Sequence, residues 1–405
     1  MEWLGEVPEH WDVCALKRIV KMQSGESITA DGIEEFDDYP VFGGNGLRGY
    51  TSKFTHDGHF VLIGRQGALC GNINYGSGKF WASEHAIVAS PIKKIDTVWL
   101  GEMMRAMNLN QYSVSAAQPG LSVDQVSRLE TVVPPLAEQI AIAIFLDQQT
   151  AQIDSLISEQ QRLMELLKEK RQAVISQAVT KGLNPGAPMK PSGVEWFGEV
   201  PEHWDVGPLK RYWSVTDCKH ITADFIEDGI PLASIREVQS RWVVLENAKC
   251  TTPHFYELLI EGGRRPLSGD LIFSRNATVG EVAQVSGAHP PFAMGQDVVL
   301  LRKILREYSS DYLQNVIRSP IIIQQLANMM IGSTFKRINV EEIRSFIVPS
   351  PPPSEQTEIA VFLEREIESF DTLTAEAQRA IDLLQERRTA LISAAVTGKI
   401  DVRIP

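Results

Sequence analysis

Cysteine is scarce in this chain. The four in 405 residues (Cys14, Cys70, Cys218 and Cys250) form no CxxC and no Cys/His spacing. That excludes a disulfide framework and a zinc site, and reads as reduced, partly buried thiols in a cytoplasmic protein. Long apolar runs are missing: none approaches the roughly 18–20 residues of a spanning helix, and residues 1–20 lack a signal-peptide pattern, so no membrane association is expected. Positive charge is thin. The net charge is −12 and no segment is strongly basic, which argues against a simple polyanion binder. If DNA is the ligand, local clusters or a larger partner must neutralise most of the phosphates. Reaction-centre motifs are absent as well: no Gly-x-x-x-x-Gly-Lys loop, no G-x-S-x-G elbow, no HExxH and no glycine-rich nucleotide fingerprint. The eight histidines are scattered, and no catalytic residue is assigned.

What the chain has is a second copy of itself. EWLGEVPEHWDV at 2–13 returns as EWFGEVPEHWDV at 195–206, eleven identities in twelve, and LKEKRQAVISQAVT at 167–180 returns as LQERRTALISAAVT at 384–397, nine in fourteen. The offset is 193 at the first pair and 217 at the second, so the second copy carries 24 extra residues in its middle. There the likeness thins: Gly64-Arg65-Gln66-Gly67 faces Ser274-Arg275-Asn276-Ala277, and Trp81-Ala82-Ser83 faces Phe292-Ala293-Met294. A period near two hundred residues is too long for a solenoid. Two whole modules with a shared framework and divergent interiors suit a ligand that itself has two halves. The first copy lacks counterparts of Pro191–Val194, so its N-terminus is expected to be trimmed or unusually short.

Each copy runs in the same order. A Trp-rich entry leads into about 130 residues of mixed character, in which Phe60–Ile63, Ala86–Ala89, Asp270–Phe273 and Val298–Leu301 read as strands. A proline stop follows, then a long helix. Leu136 to Thr180 contains no Gly or Pro. Ile153, Leu156, Gln160, Leu163, Leu167, Lys170 and Val174 alternate at spacings of 3 and 4, a coiled-coil seam; adding 217 gives Phe370, Leu373, Ala377, Ala380, Leu384, Arg387 and Leu391. About 44 residues make a rod of roughly 65 Å, and two rods most simply pair antiparallel. The fold class is therefore α+β: two similar mixed α/β domains (1–135 and 195–353) joined by two long antiparallel coiled-coil helices (136–182 and 354–405, the latter with the C-terminal tail), with a linker at 183–194 and a pseudo-two-fold repeat. Pro351-Pro352-Pro353-Ser354 departs from the Pro-Pro-Leu-Ala of the first copy, so the second helix is expected to start differently.

The residue types suited to base edges sit in glycine-rich loops of the divergent interiors. Arginine is the usual bidentate partner of guanine, and Gln or Asn of adenine. In the first module these residues are Asn45, Arg48, Lys53, Arg65, Gln66, Trp81, Ser83 and Gln118; in the second they are Arg236, Arg241, Arg264, Arg265, Arg275, Asn276, Gln296, Ser333, Thr334, Lys336 and Arg337. Two readers, a ruler and no reaction centre make a targeting subunit the economical reading.

The double entry motif, Pro-Pro-Leu-Ala-Glu-Gln at 134–139 and the repeated helix ends Ser176–Thr180 and Ser393–Thr397 together resemble the specificity subunit of type I restriction-modification systems. Positions Tyr39–Tyr50, Ile63–Gly67 and Trp81–Ser83 are similar to one common type of recognition domain. The resemblance implies two target-recognition domains, each reading half of a bipartite site in double-stranded DNA, and helices that fix the gap between halves. It also implies partners: two methyltransferase subunits, which bind S-adenosylmethionine and methylate adenine, and motor-nuclease subunits that use ATP and magnesium. No cofactor or metal is then expected on this chain. The alternative is a coiled-coil scaffold or decoy of phage defence that no longer reads DNA.

Overall fold

The computed structural model describes residue 4 and residues 6–67, 69–113, 120–194, 197–329 and 337–402. The chain forms two compact units, and each takes part of both long helices: Met1–Arg162 with Ala377–Pro405, and Leu163–Glu376. Among the described residues no helix is long and apolar enough to cross a membrane.

In the first unit a six-stranded sheet has the order Val20–Ser24, Ala86–Pro91, His56–Gly64, Ile73–Ala82, Tyr39–Gly43, Gly46–Thr51. Val61, Leu62 and Ile63 are wholly buried in its central strand, the continuous apolar run of a strand covered on both faces. The sheet is antiparallel except where Val41 and Phe42 pair in parallel with Trp81 and Ala82. Helix Thr97–Ala106, capped by Asp96, buries Trp99, Leu100, Met103 and Met104 in the core beside Val61 and Ile63.

The second unit repeats this plan in two sheets. One runs Trp213–Asp217, Val298–Lys303, Leu271–Ser274, Val282–Gln284; the other runs Phe225–Ile226, Cys250–Thr251, Ile230–Ala233, Ala293–Met294. Leu232 and Ala233 pair in parallel with Ala293 and Met294, as Val41 and Phe42 do with Trp81 and Ala82. This register aligns Trp81-Ala82-Ser83 with Ala293-Met294-Gly295, one residue along from the sequence match. It also locates the length difference. Ala233 and Leu271 are 38 positions apart, where the equivalent Phe42 and Val61 are 19 apart, so 19 of the 24 extra residues fall there. They hold strand Cys250–Thr251 and helix Pro253–Ile260. The expected linker is partly structured, since Met189–Pro191 pairs with Glu199–Pro201.

The long helices are Leu136–Lys181 and Pro353–Val396. In the first unit Ile142, Ala143 and Leu146, near the start of one, share a core with Ile392, Ala395 and Val396, at the end of the other. In the second unit Ile175, Ala178 and Val179 share a core with Ile359, Ala360 and Leu363. Start meets end, so the paired segments of each unit are antiparallel. The repeated end motifs are thereby explained: each module is completed by the helix end belonging to the other copy.

The expected seam needs one correction. Ile153, Leu167 and Phe370 are buried, and Val174, Leu384 and Leu391 half-buried, but Leu156, Leu163 and Leu373 are each more than 40 % exposed. Starting from Ile153 the covered stripe steps by 4 and then 3, through Ile157, Gln160, Met164, Leu167 and Arg171; in the second helix it passes through Phe370, Thr374, Ala377, Ile381, Leu384 and Arg388. Alternation of 3 and 4 fits either starting step, and the chain uses the other one. Arg171 and Arg388 lay their stems along this stripe and reach Asp371 at 2.7 Å and Asp154 at 2.9 Å. These partly exposed pairs fix register more than they stabilise.

The entry motif and the Glu-Gln pair form one clamp in each unit. Glu138 accepts the Trp11 indole N–H at 3.0 Å and bonds His10 at 2.8 Å, while Gln139 accepts from the Asp96 backbone N–H (2.9 Å) and donates to the Pro134 carbonyl (2.8 Å). Glu355 holds Trp204 at 3.0 Å and His203 at 2.8 Å, and Gln356 bonds Ser309 and Pro351, both at 2.9 Å. The expected difference at Pro351–Ser354 is therefore overturned. Pro353 suits the first helical turn, where an N–H has no intrahelical partner anyway, so the clamp closes with the four equivalent partners.

Candidate nucleic-acid interface

In the first unit Asn45, Arg65 and Gln66 gather at a set of interlocked loops, while Lys53 follows strand Gly46–Thr51 at the end away from its hairpin. The tight hairpin Gly44-Asn45 lies against the turn after strand His56–Gly64. A side chain on Gly64 would meet the Gly44 carbonyl at 2.5 Å, so the two loops touch through bare backbone. Arg65 donates its backbone N–H to the His85 carbonyl at 2.9 Å and accepts from Leu121 at 2.9 Å, and Gln66 bridges Gly120. Asn45, Arg48, Lys53 and Gln66 are exposed and Arg65 half-buried, with its guanidinium 3.5 Å from the Glu84 carbonyl. A guanidinium held at one edge and open at the other can still turn its fork outward.

The second unit builds the same loop lattice with different side chains. Arg275 donates its backbone N–H to the Asp297 carbonyl at 3.0 Å and accepts from Ile338 at 3.0 Å, and Asn276 bridges Arg337. Thus Arg65, Gln66, His85, Gly120 and Leu121 correspond to Arg275, Asn276, Asp297, Arg337 and Ile338. The extra residues help line a cavity of about 510 Å³, bordered by Arg236, Asn247, Lys249, Gln296 and Asp297. The exposed Phe225 ring also lines it, with the Lys249 ammonium 4.4 Å from its centroid.

Several expected contact residues are placed elsewhere. Ser83 is fully buried, its backbone tied to Phe42 and Ala86, and cannot reach a base edge. Trp81 is half-buried and donates its indole N–H to the Glu26 carbonyl at 3.2 Å, a framework bond. Arg275 is 5 % exposed and locked to Asp217 at 3.5 Å and His220 at 3.3 Å. Arg241 is neutralised by Asp311, on helix Ser310–Ile317, and by Glu364, on the second long helix. Arg264 spends its donors on the Asp217 and Glu261 carbonyls. Arg265 is exposed but lines a different cavity, with Tyr256 and Pro290. Arg236, Gln296, Asn276 and Arg337 stay at or near the loop lattice. Gln118, Ser333, Thr334 and Lys336 lie outside the described residues.

Asp217, Cys218 and His220, within four consecutive residues, bring three metal-ligand atoms together. The Arg275 guanidinium already lies against two of them and supplies the positive charge a cation would bring. Burial, reinforced by Asp217, pushes the Cys218 thiol up, away from the thiolate a metal needs.

Sequence reasoning missed Glu84, His85 and the counterpart of His85, Asp297, as well as Asn247 and Lys249. Asp297 has a left-handed backbone (φ +63°), and so does Ala277 (φ +56°), where the first copy uses Gly67. A non-glycine residue held at positive φ often marks a functional loop. Only the strand register could reveal these positions, because residue matching slips by one there.

A family model described as the type I restriction modification DNA specificity domain matches residues 8–166 and 263–382. The specificity subunit of the type I restriction enzyme EcoprrI from Escherichia coli is 49 % identical over 136 residues, 33 % of this chain and 34 % of that one; this match therefore spans about a third of that relative's length. The MjaVIII specificity subunit of Methanocaldococcus jannaschii is 22 % identical over 98 % of this chain and 94 % of its own. Among solved structures, a chain from a study of complex assembly and conformational transition in the type I R-M system aligns with a TM-score of 0.73 at 14 % identity, covering 98 % of this chain and 100 % of that one. The HsdS subunit from Thermoanaerobacter tengcongensis aligns with a TM-score of 0.55, also at 14 % identity, covering 98 % of each chain. At such identities these two speak for the fold.

Proposed function

The chain belongs to the type I restriction-modification DNA specificity family, and from that premise we propose that it is the non-catalytic sequence-reading subunit of such a system. Each module reads one half of a bipartite site in double-stranded DNA, and the two long helices set the unread spacer. The subunit directs adenine methylation or cleavage by two methyltransferase subunits and by motor-nuclease subunits. S-adenosylmethionine, ATP and magnesium belong to those partners.

The observation that carries this reading is the loop lattice: one backbone scaffold, built twice, with different side chains at equivalent places. A constant scaffold with variable groups is what two readers of unlike sequences need. The net charge of −12 fits a subunit whose partners supply much of the phosphate neutralisation. The test is Arg65→Ala in the assembled methyltransferase complex, scored by selection from randomised duplexes. One base pair of one half-site should lose about 1–3 kcal/mol of discrimination, and the other half-site should be unaffected. Equal loss in both halves would rule out modular reading.

A further inference from the structure

The two modules differ most sharply in charge at one pair of equivalent places on the loop lattice. Where the first has Gly120 and His85, the second has Arg337 and Asp297. Their side chains meet, Arg337 Nη2 to Asp297 Oδ1 at 3.6 Å, with 51 % and 29 % of each exposed. Both backbones are fixed from either side of the same dipeptide. Asn276 bridges Arg337, and Arg275 donates its N–H to the Asp297 carbonyl. Asp297 is held at φ +63°, a conformation that costs an L-residue energy and needs a reason.

The chemistry of the pair supplies one. A guanidinium beside a carboxylate presents two donors next to an acceptor. In the major groove a G·C pair presents the complement: the guanine N7 and O6 acceptors next to the cytosine N4 donor. An A·T pair has no such order. The buried Arg275 is occupied with Asp217 and His220, whereas Arg337 is half-exposed in a loose ion pair and can turn outward. A partly exposed ion pair is weakly held and can exchange its partner for a base edge at little cost.

We propose that Arg337 and Asp297 act together as a G·C-reading element of the second module, Arg337 donating to guanine and Asp297 accepting from the paired cytosine. This rests on the DNA-reading function proposed above, and its test separates the two ideas. The chain would be assembled with its methyltransferase partner, as wild type and as Arg337→Gln, Arg337→Lys and Asp297→Gly, and each complex would select from randomised duplexes. Glycine accepts the left-handed backbone, so Asp297→Gly keeps the turn and removes the acceptor. The expected result is that all three variants lose preference at the same single G·C pair of the second half-site. The loss should be roughly 5- to 150-fold, with the first half-site unchanged. Lysine can donate to guanine but lacks the planar fork, so it should keep the preference only in part. An Arg337→Gln variant that keeps the preference and binds all duplexes more weakly would mean a phosphate contact and overturn the proposal. So would variants that act at different base pairs, or a second half-site without G·C. Wild type that selects no sequence would bring down the reading function itself; a selective wild type with neutral variants would bring down this assignment alone.

Discussion

Replacing Glu355 with alanine should unfold the second unit at a clearly lower temperature, because one carboxylate closes the clamp between the entry motif and the helix start. Glu355 Oε2 accepts from the Trp204 indole at 3.0 Å and bonds His203 at 2.8 Å. Trp204 is only 1 % exposed, so its N–H cannot turn to water when the acceptor is lost. A hydrogen bond to a charged group contributes about 1.5–3 kcal/mol. The half-exposed His203 contact adds at most about 1, and an acid in the first helical turn about 0.3–1. The loss should be about 2–5 kcal/mol, or roughly 4–20 °C for a unit of 150–250 residues. Glu355→Gln keeps an acceptor and should cost less. Calorimetry of the full chain measures both, and a double-mutant cycle with Trp204→Phe isolates the indole bond. A loss below about 0.5 kcal/mol, or additive effects of the two changes, would refute the clamp as the reason the motif is repeated.

Arg275→Ala should act on stability before recognition, since removing a buried cation strands Asp217; the cost should fall at the low end of about 3–5 kcal/mol, because Asp217 keeps 29 % exposure. Thermal unfolding reads it, and an unchanged melting temperature with altered sequence preference would return Arg275 to the reading surface. Deleting 156–169 together with 373–386 removes two heptads from each helix and keeps the covered stripe in phase. Methylation mapping should show a shorter gap between unchanged half-sites, whereas an unchanged gap would mean that the helices are not the ruler. Gly398→Ala should destabilise the first unit, since Gly398 has φ +73° and a side chain there would lie 2.5 Å from Pro8; wild-type stability of that variant would contradict the tight helix-end contact.

Much of the architecture was legible in the sequence because it is written there twice. The helices were read from their composition and the pairing from their repetition. The central strands were read from runs such as Phe60–Ile63, which falls inside strand His56–Gly64. The seam was misphased at alternate positions, since Leu156 and Leu163 satisfy the same spacing as Ile157 and Met164, and only the facing helix decides between them. The site was less legible for a different reason. Composition identifies which side chains could read a base, but accessibility depends on what the fold has already paired. Arg65 and Arg275 match in sequence, yet one is half-open and the other is buried on a carboxylate. The acid Asp297 gains meaning only from Arg337 beside it, a contact between residues far apart in the chain.

The central claim is that two modules read two separate DNA sequences across a fixed gap. Mapping of methylated adenines in the genome of cells carrying this protein with its partner subunits tests it most directly. The account predicts a single motif of two defined half-sequences separated by a constant run of unspecified bases. A continuous motif without a gap would contradict it.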